Sequence, residues 1–283
     1  MSGTFPGFVD FILNFGSNQL VEDNLLEQWK LSDFNLTFFG DDTWLKLFPN
    51  HFIRSDGTNS FFVSDFVEVD HNVSRHLSHE VNQKDWDVAI LHYLGLDHIG
   101  HWEGPEASVV PNKLNEMGKI VEYLNSELIL KPERWKFGLP PLIIVLGDHG
   151  MADGGGHGGS SDSETLTPMI FISPEISTLV QRSQFIKQVD LVPTLAWLTG
   201  VPIPKNSLGY SMFENSGIRY NVMQIGKALQ RDVSTVDEFE LLSILEREEI
   251  NISNYNVPVM LLGILISISV SYLSNLLVFW LGL

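Results

Sequence analysis

Short continuous apolar runs recur along the chain, separated by stretches whose apolar residues fall three and four apart. The runs Leu36–Phe39, Val88–Leu94, Leu142–Leu146 and Met169–Ile172 predict strands buried on both faces, as in a parallel sheet. Helical spacing predicts helices over Leu20–Leu31, through Leu114, Met117, Val121, Leu124 and Leu128, and from Phe185 to Leu198. Pro193 interrupts the last of these and can open a second helix, because a first-turn residue needs no N–H partner. Asp237–Glu249 predicts a further, charged helix. The alternation implies an α/β domain, a mainly parallel sheet layered by helices.

The pattern changes at the end. Pro258 to Leu283 contains no Asp, Glu, Lys, Arg or His and is long enough to cross a bilayer as a helix, with Tyr272 and Trp280 placed for its interfaces. A buried core helix is the plainer reading, disfavoured by the length and the absence of charge. A lipid-attachment signal would need small residues and a polar spacer upstream, and Asn251-Ile252-Ser253-Asn254-Tyr255 fits that poorly. The resulting division is a domain over 1–215, a helical connector over 216–255 and a transmembrane segment over 256–283. No signal peptide is visible at Met1–Gly7. Three sequons, at Asn35, Asn72 and Asn251, nevertheless suggest a lumenal domain with glycosylation sites.

Charge narrows the partners. With 35 acids against 17 bases and a net charge of -18, the chain has little to neutralise a nucleic-acid backbone, which argues against nucleic acid as substrate. A smaller phosphate ester is compatible, because bound cations supply positive charge locally. There are no cysteines, so a metal must be held by imidazoles and carboxylates.

Two apolar runs end in polar, glycine-bearing segments. Val88–Leu94 leads into Gly95-Leu96-Asp97-His98-Ile99-Gly100-His101, and Leu142–Leu146 into Gly147-Asp148-His149-Gly150-Met151. In open α/β sheets, sites gather beyond the carboxyl ends of strands. Together with His157 in Gly154–Gly159, this places Asp97, His101, Asp148, His149 and His157 on three predicted loops. Asp and neutral His suit zinc and similar divalent ions. Each loop by itself could be a turn. Both in order, followed by Gly-Gly-Gly-His, make a stronger case.

Asp97-x-x-Gly-His101 with Gly104-Pro105, then Gly147-Asp148-His149-Gly150-Met151, then His157, is similar to the ligand pattern of the alkaline phosphatase superfamily. The stretch Leu91–His101, with Phe39-Gly40-Asp41-Asp42-Thr43-Trp44 and Leu47-Phe48-Pro49, closely resembles the GPI ethanolamine phosphate transferases, most of all their type 2 branch. The resemblance runs from Phe5 to about Gly209.

The resemblance implies an alkaline-phosphatase-like fold and two divalent metal ions, zinc being the natural pair. One metal would take Asp97, His101 and His157, the other Asp148 and His149. It implies transfer of phosphoethanolamine from phosphatidylethanolamine to a mannose of a GPI precursor, the second mannose for the type 2 branch. The reaction would occur on the lumenal face of the endoplasmic reticulum membrane, and a membrane partner subunit is left open. A metal-dependent phosphodiesterase and an inactive truncated product are the alternatives.

The family's Thr nucleophile and an early Asp ligand match nothing here. They are expected upstream of the Phe5–Asp10 block, which implies that the chain is incomplete and inactive by itself. His98 would bind substrate phosphate or orient Asp97. Asp41 and Asp42 form either a strand-end turn or, with the aromatic face of Trp44, a site for the ethanolamine ammonium.

Overall fold

The computed structural model describes residues 1–4, 19–175, 185–213 and 216–228. The charged helix predicted over Asp237–Glu249, the apolar segment from Pro258 and the sequon at Asn251 lie outside them. Among the described residues no helix is long and apolar enough to cross a membrane.

The chain enters through α1 (Leu25–Leu31), five residues later than its apolar spacing suggests. Asn24 fixes that start: its Oδ1 accepts the Glu27 N–H at 3.1 Å, satisfying a first-turn donor that has no helical partner. β1 (Leu36–Asp41) follows, then a short helix α2 (Thr43–Leu47) and β2 (Phe52–Thr58). α3 (Glu68–Glu80) leads to β3 (Val88–Leu91) and α4 (Gly95–Glu103). α5 (Val110–Leu124) continues into one π turn, Asn125–Ile129. After two 3-10 turns come β4 (Ile143–Leu146), α6 (Asp162–Thr165) and β5 (Met169–Ile172). A 3-10 turn at Gln188–Asp190 runs into α7 (Leu191–Thr199), with Pro193 in its first turn, and α8 spans Ser216–Ala228.

Three strands form a parallel sheet in the order β2-β1-β3, with Leu36 opposite Val88 and Phe39 opposite Leu91. β1 is central and buried, which is why it reads as an unbroken apolar run. β4 and β5 pair with each other, antiparallel, with Ile143 opposite Ile172. The sequence reading of these two runs as parallel strands buried on both faces is therefore corrected: Leu146 and Ile170 are exposed, and apolar content carries no strand direction.

The core lies between the parallel sheet and the helices α1 and α7. Leu25, Leu26, Trp29, Leu36, Phe48, Val192 and Ala196 make one apolar cluster. Burying each of its larger side chains contributes about 1.5–3 kcal/mol. Trp29 Nε1 donates to Thr199 Oγ1 at 2.9 Å, so its one polar atom is satisfied where the ring is buried. Gly200 ends α7 in the left-handed conformation, at φ 72°.

A second correction bears on function. The segment Gly95–His101 is helical, the opening two turns of α4, because β3 stops at Leu91. Asp97 and His101 thus stand one turn apart, i and i+4, on a single helix face.

Candidate metal centre

Three segments build the site. α4 carries Asp97 and His101 immediately beyond the carboxyl end of β3. The turn after β4 carries Asp148 and His149. The glycine-rich segment between β4 and α6 brings His157 back over both.

Glycines make the segments fit. A Cβ on Gly100 would collide with the Met151 side chain, so α4 can seat against the Asp-His-Gly-Met turn. Gly155, at φ +80°, packs where a Cβ would stand 2.8 Å from the Gly100 carbonyl. The turn is held from outside as well. Gly150 N–H donates to Glu164 O at 2.7 Å and Met151 N–H to Ser163 O at 3.0 Å. Gln188 Nε2 donates to Asp148 O at 2.8 Å, and Thr167 Oγ1 to Gly147 O at 3.0 Å. α6 is anchored in turn by a capping box between Ser161 and Glu164, and Glu164 Oε1 accepts the Gly159 N–H at 2.7 Å.

At the centre is Asp97 Oδ1. It is buried and has no hydrogen-bond partner, although it lies 3.5 Å from His101 Nε2 and 3.4 Å from His157 Nε2. A tetrahedral ion with bonds of roughly 2.0–2.1 Å holds its ligand atoms about 3.3 Å apart. These separations match that edge and exceed a hydrogen bond. Ligand atoms of Asp97, His149 and His157 also all fall within 4.8 Å of one another, a possible metal site. The set that meets therefore includes His149, which the resemblance grouped with Asp148. His149 stacks on His157 with ring centroids 3.7 Å apart, and its Nε2 is 3.6 Å from Asp148 Oδ2.

The imidazoles are prepared as ligands. His149 Nδ1 lies 2.9 Å from the Gly150 carbonyl oxygen, which can only accept, so Nδ1 carries the proton and Nε2 keeps its lone pair. His157 has its pKa lowered below the usual 6.5, first by burial and then by the neighbouring His149, with Asp97 opposing. Both effects favour the neutral ring that a metal requires. A buried, unpaired carboxylate oxygen with imidazole nitrogens around it is a donor set that fits a divalent cation.

The remaining candidates lie elsewhere. His98 is buried, with Nδ1 donating to the Asp65 carbonyl at 2.7 Å and Nε2 without a partner. Asp41 Oδ1 accepts the Thr43 N–H at 2.9 Å, and Asp42 pairs with Lys46 at 3.0 Å. Trp44 stacks on Phe38 with centroids 5.2 Å apart. Asn35 is exposed, whereas Asn72 is buried beside Asp56. Sequence reasoning passed over Asp70, a fully buried acid on α3 that contacts the start of α4. Its one signal was position, an acid inside the Val69, Val73, Leu77 stripe.

The family described as type I phosphodiesterase / nucleotide pyrophosphatase matches residues 25–161. The human protein named GPI ethanolamine phosphate transferase 2, catalytic subunit, is 41% identical over 263 residues, covering 87% of this chain and 27% of its own length. GPI ethanolamine phosphate transferase 2 of Candida albicans is 46% identical, covering 74% of this chain and 25% of its own length. That of Saccharomyces cerevisiae is 37% identical, covering 93% and 36%. The chain thus spans about a quarter to a third of the length of these relatives.

Proposed function

Because the chain belongs to the GPI ethanolamine phosphate transferase family, we propose that it carries the metal centre of a transferase. The reaction moves phosphoethanolamine from phosphatidylethanolamine to a mannose of a GPI precursor, the second mannose on the type 2 resemblance. The observation that carries this reading is the unpaired, buried Asp97 Oδ1 at ligand-edge distance from His101 and His157.

Asp97, His101 and His157 would hold one divalent ion, and Asp148 and His149 a second. The nitrogen and oxygen donors favour zinc. Such a pair supplies polarisation of the phosphoryl oxygens and charge neutralisation at the entering and leaving oxygens. The chain's own residues do the rest by position. Asp97 and Asp148 bring negative charge to a site whose other donors are imidazoles. Gly150 fixes the His149 tautomer through its carbonyl. The clamp of α6 on Gly150 and Met151 keeps Asp148 and His149 in register with α4. No nucleophile is assigned within the 283 residues.

The lipid substrates place the reaction at a membrane. We assign the domain over 1–215 to the lumenal face of the endoplasmic reticulum, with 216–255 as connector and 256–283 as the membrane segment. The description of the matched family favours one second reading, hydrolysis of a phosphodiester, in which water replaces the mannose hydroxyl.

The test replaces the matching segment of the human relative with residues 19–228 of this chain, in cells lacking that relative. The expected result is phosphoethanolamine on the second mannose of the GPI precursor, lost when Asp97→Ala is introduced. Free phosphoethanolamine without modified glycolipid would instead support the phosphodiesterase.

A further inference from the structure

We propose that Asp70 and Lys113 form a buried clamp that positions α4, and through it the ligand pair Asp97 and His101. The proposal rests on the metal reading of those two residues and assigns neither Asp70 nor Lys113 a contact with metal or substrate.

The start of α4 needs an outside acceptor. Its first N–H groups have no partner within the helix, and Leu94 at the cap position has no side chain able to accept. Asp70 fills that role from α3. Its Oδ1 accepts both the Leu94 and the Gly95 N–H, each at 2.9 Å. A carboxylate is also the favoured partner for the positive end of a helix dipole. Gly95 is what admits it, because a Cβ there would collide with the Asp70 carboxylate.

The charge thus buried is balanced from a third element. Lys113 of α5, itself only 6% exposed, places Nζ 3.1 Å from Asp70 Oδ2 and 2.9 Å from Glu116 Oε2. Asp70 Oδ2 has no aligned hydrogen bond, so its link to Lys113 is ionic. α3, α4 and α5 therefore meet at one ion pair. Removing Lys113 strips the buried Asp70 carboxylate of its counter-charge, whereas removing the Asp70 charge weakens the acceptor of the Leu94 and Gly95 N–H groups and leaves Lys113 to Glu116 alone; either way the N-terminus of α4 must shift. Asp97 lies two residues beyond Gly95, and His101 one turn further. A small displacement there moves both ligands relative to His157 on its separate segment.

The clamp differs from ordinary packing in what it controls. A residue that only stabilises the fold changes melting temperature and leaves the affinity of the folded protein for metal alone. The experiment measures zinc affinity by chelator competition on the full chain, with circular dichroism to confirm folding. Asp70→Asn and Lys113→Met should each weaken zinc binding by about tenfold or more, the scale seen for residues that orient ligands. Both should also alter the visible spectrum of the cobalt-substituted protein. Lys113→Arg should restore near-normal affinity. Asp56→Asn, which disturbs a different charge cluster around His76 and Arg75, should leave affinity unchanged. Wild-type affinity and spectrum in folded Asp70→Asn and Lys113→Met would overturn the clamp while leaving the metal centre intact. If Asp70→Asn fails to fold, the contrast between Lys113→Met and Lys113→Arg decides. A wild-type chain that binds no zinc would overturn the metal reading and the clamp with it.

Discussion

Asp97 Oδ1 and His157 Nε2 stand 3.4 Å apart, too far for a hydrogen bond and close to the separation of two ligands on one tetrahedral ion. If a metal joins them, its binding stabilises the folded chain. Zinc at about a hundred times its dissociation constant should add about 2.7 kcal/mol of stability, and chelation should remove it. Asp97→Ala and His157→Ala should each lose most of that gain in thermal melting, while their chelated forms melt close to the chelated wild type.

The glycines around the site should differ sharply in tolerance. A Cβ on Gly150 would meet the Ser163 backbone, which cannot move without breaking the clamp of α6. A Cβ on Gly100 would meet the far end of the Met151 side chain, which can rotate away. Gly150→Ala should destabilise by about 1–3 kcal/mol and weaken metal binding. Gly100→Ala should stay below about 1 kcal/mol, as adaptable contacts do. Chemical denaturation of the two variants tests the contrast, and equal losses would contradict it.

Asp56 predicts an acid-side dependence of stability. Burial alone would raise its pKa, but hydrogen bonds and charge from His76 and Arg75 hold it below the usual 3.8. A carboxyl depressed in the folded state contributes stability above its unfolded pKa and loses that contribution as pH falls through the folded value. The wild type should therefore lose stability from about pH 4 downward more steeply than Asp56→Asn. Parallel urea titrations between neutral and acid pH check the difference in slope.

In a glycosylation-competent lumen, Asn35 should carry glycan and Asn72 should not. Asn35 is exposed, with Nδ2 donating to the Asp85 carbonyl at 2.8 Å, a contact solvent can replace. Asn72 is 7% exposed within α3, and a glycan there would have to displace its packing. Glycopeptide mass spectrometry gives the occupancy of each.

Much of this candidate site was legible in the order of residues because its glycines and proposed ligands form contiguous words. Asp97 to His101, Asp148-His149 and the glycines around His157 need no knowledge of pairing to be noticed. What the words concealed was geometry. Asp97 and His101 read as loop residues because Gly95 and Gly100 flank them, yet those glycines serve close approach within and beside a helix. β2 escaped because Phe52–Thr58 alternates partial and full exposure around Arg54 and Asp56 in place of an apolar run. The antiparallel pairing of β4 with β5, and the reach of Asp70 from α3 to α4, are long-range facts that no local pattern encodes.

The central claim is that these five side chains are metal ligands, and anomalous diffraction from crystals of the zinc-soaked chain tests it most directly. The account predicts an anomalous peak bonded to Asp97, His101 and His157, with a second peak about 3.5–4 Å away at Asp148 and His149. Zinc bound only elsewhere, with Asp97 Oδ1 left unliganded in a soaked crystal, would contradict it.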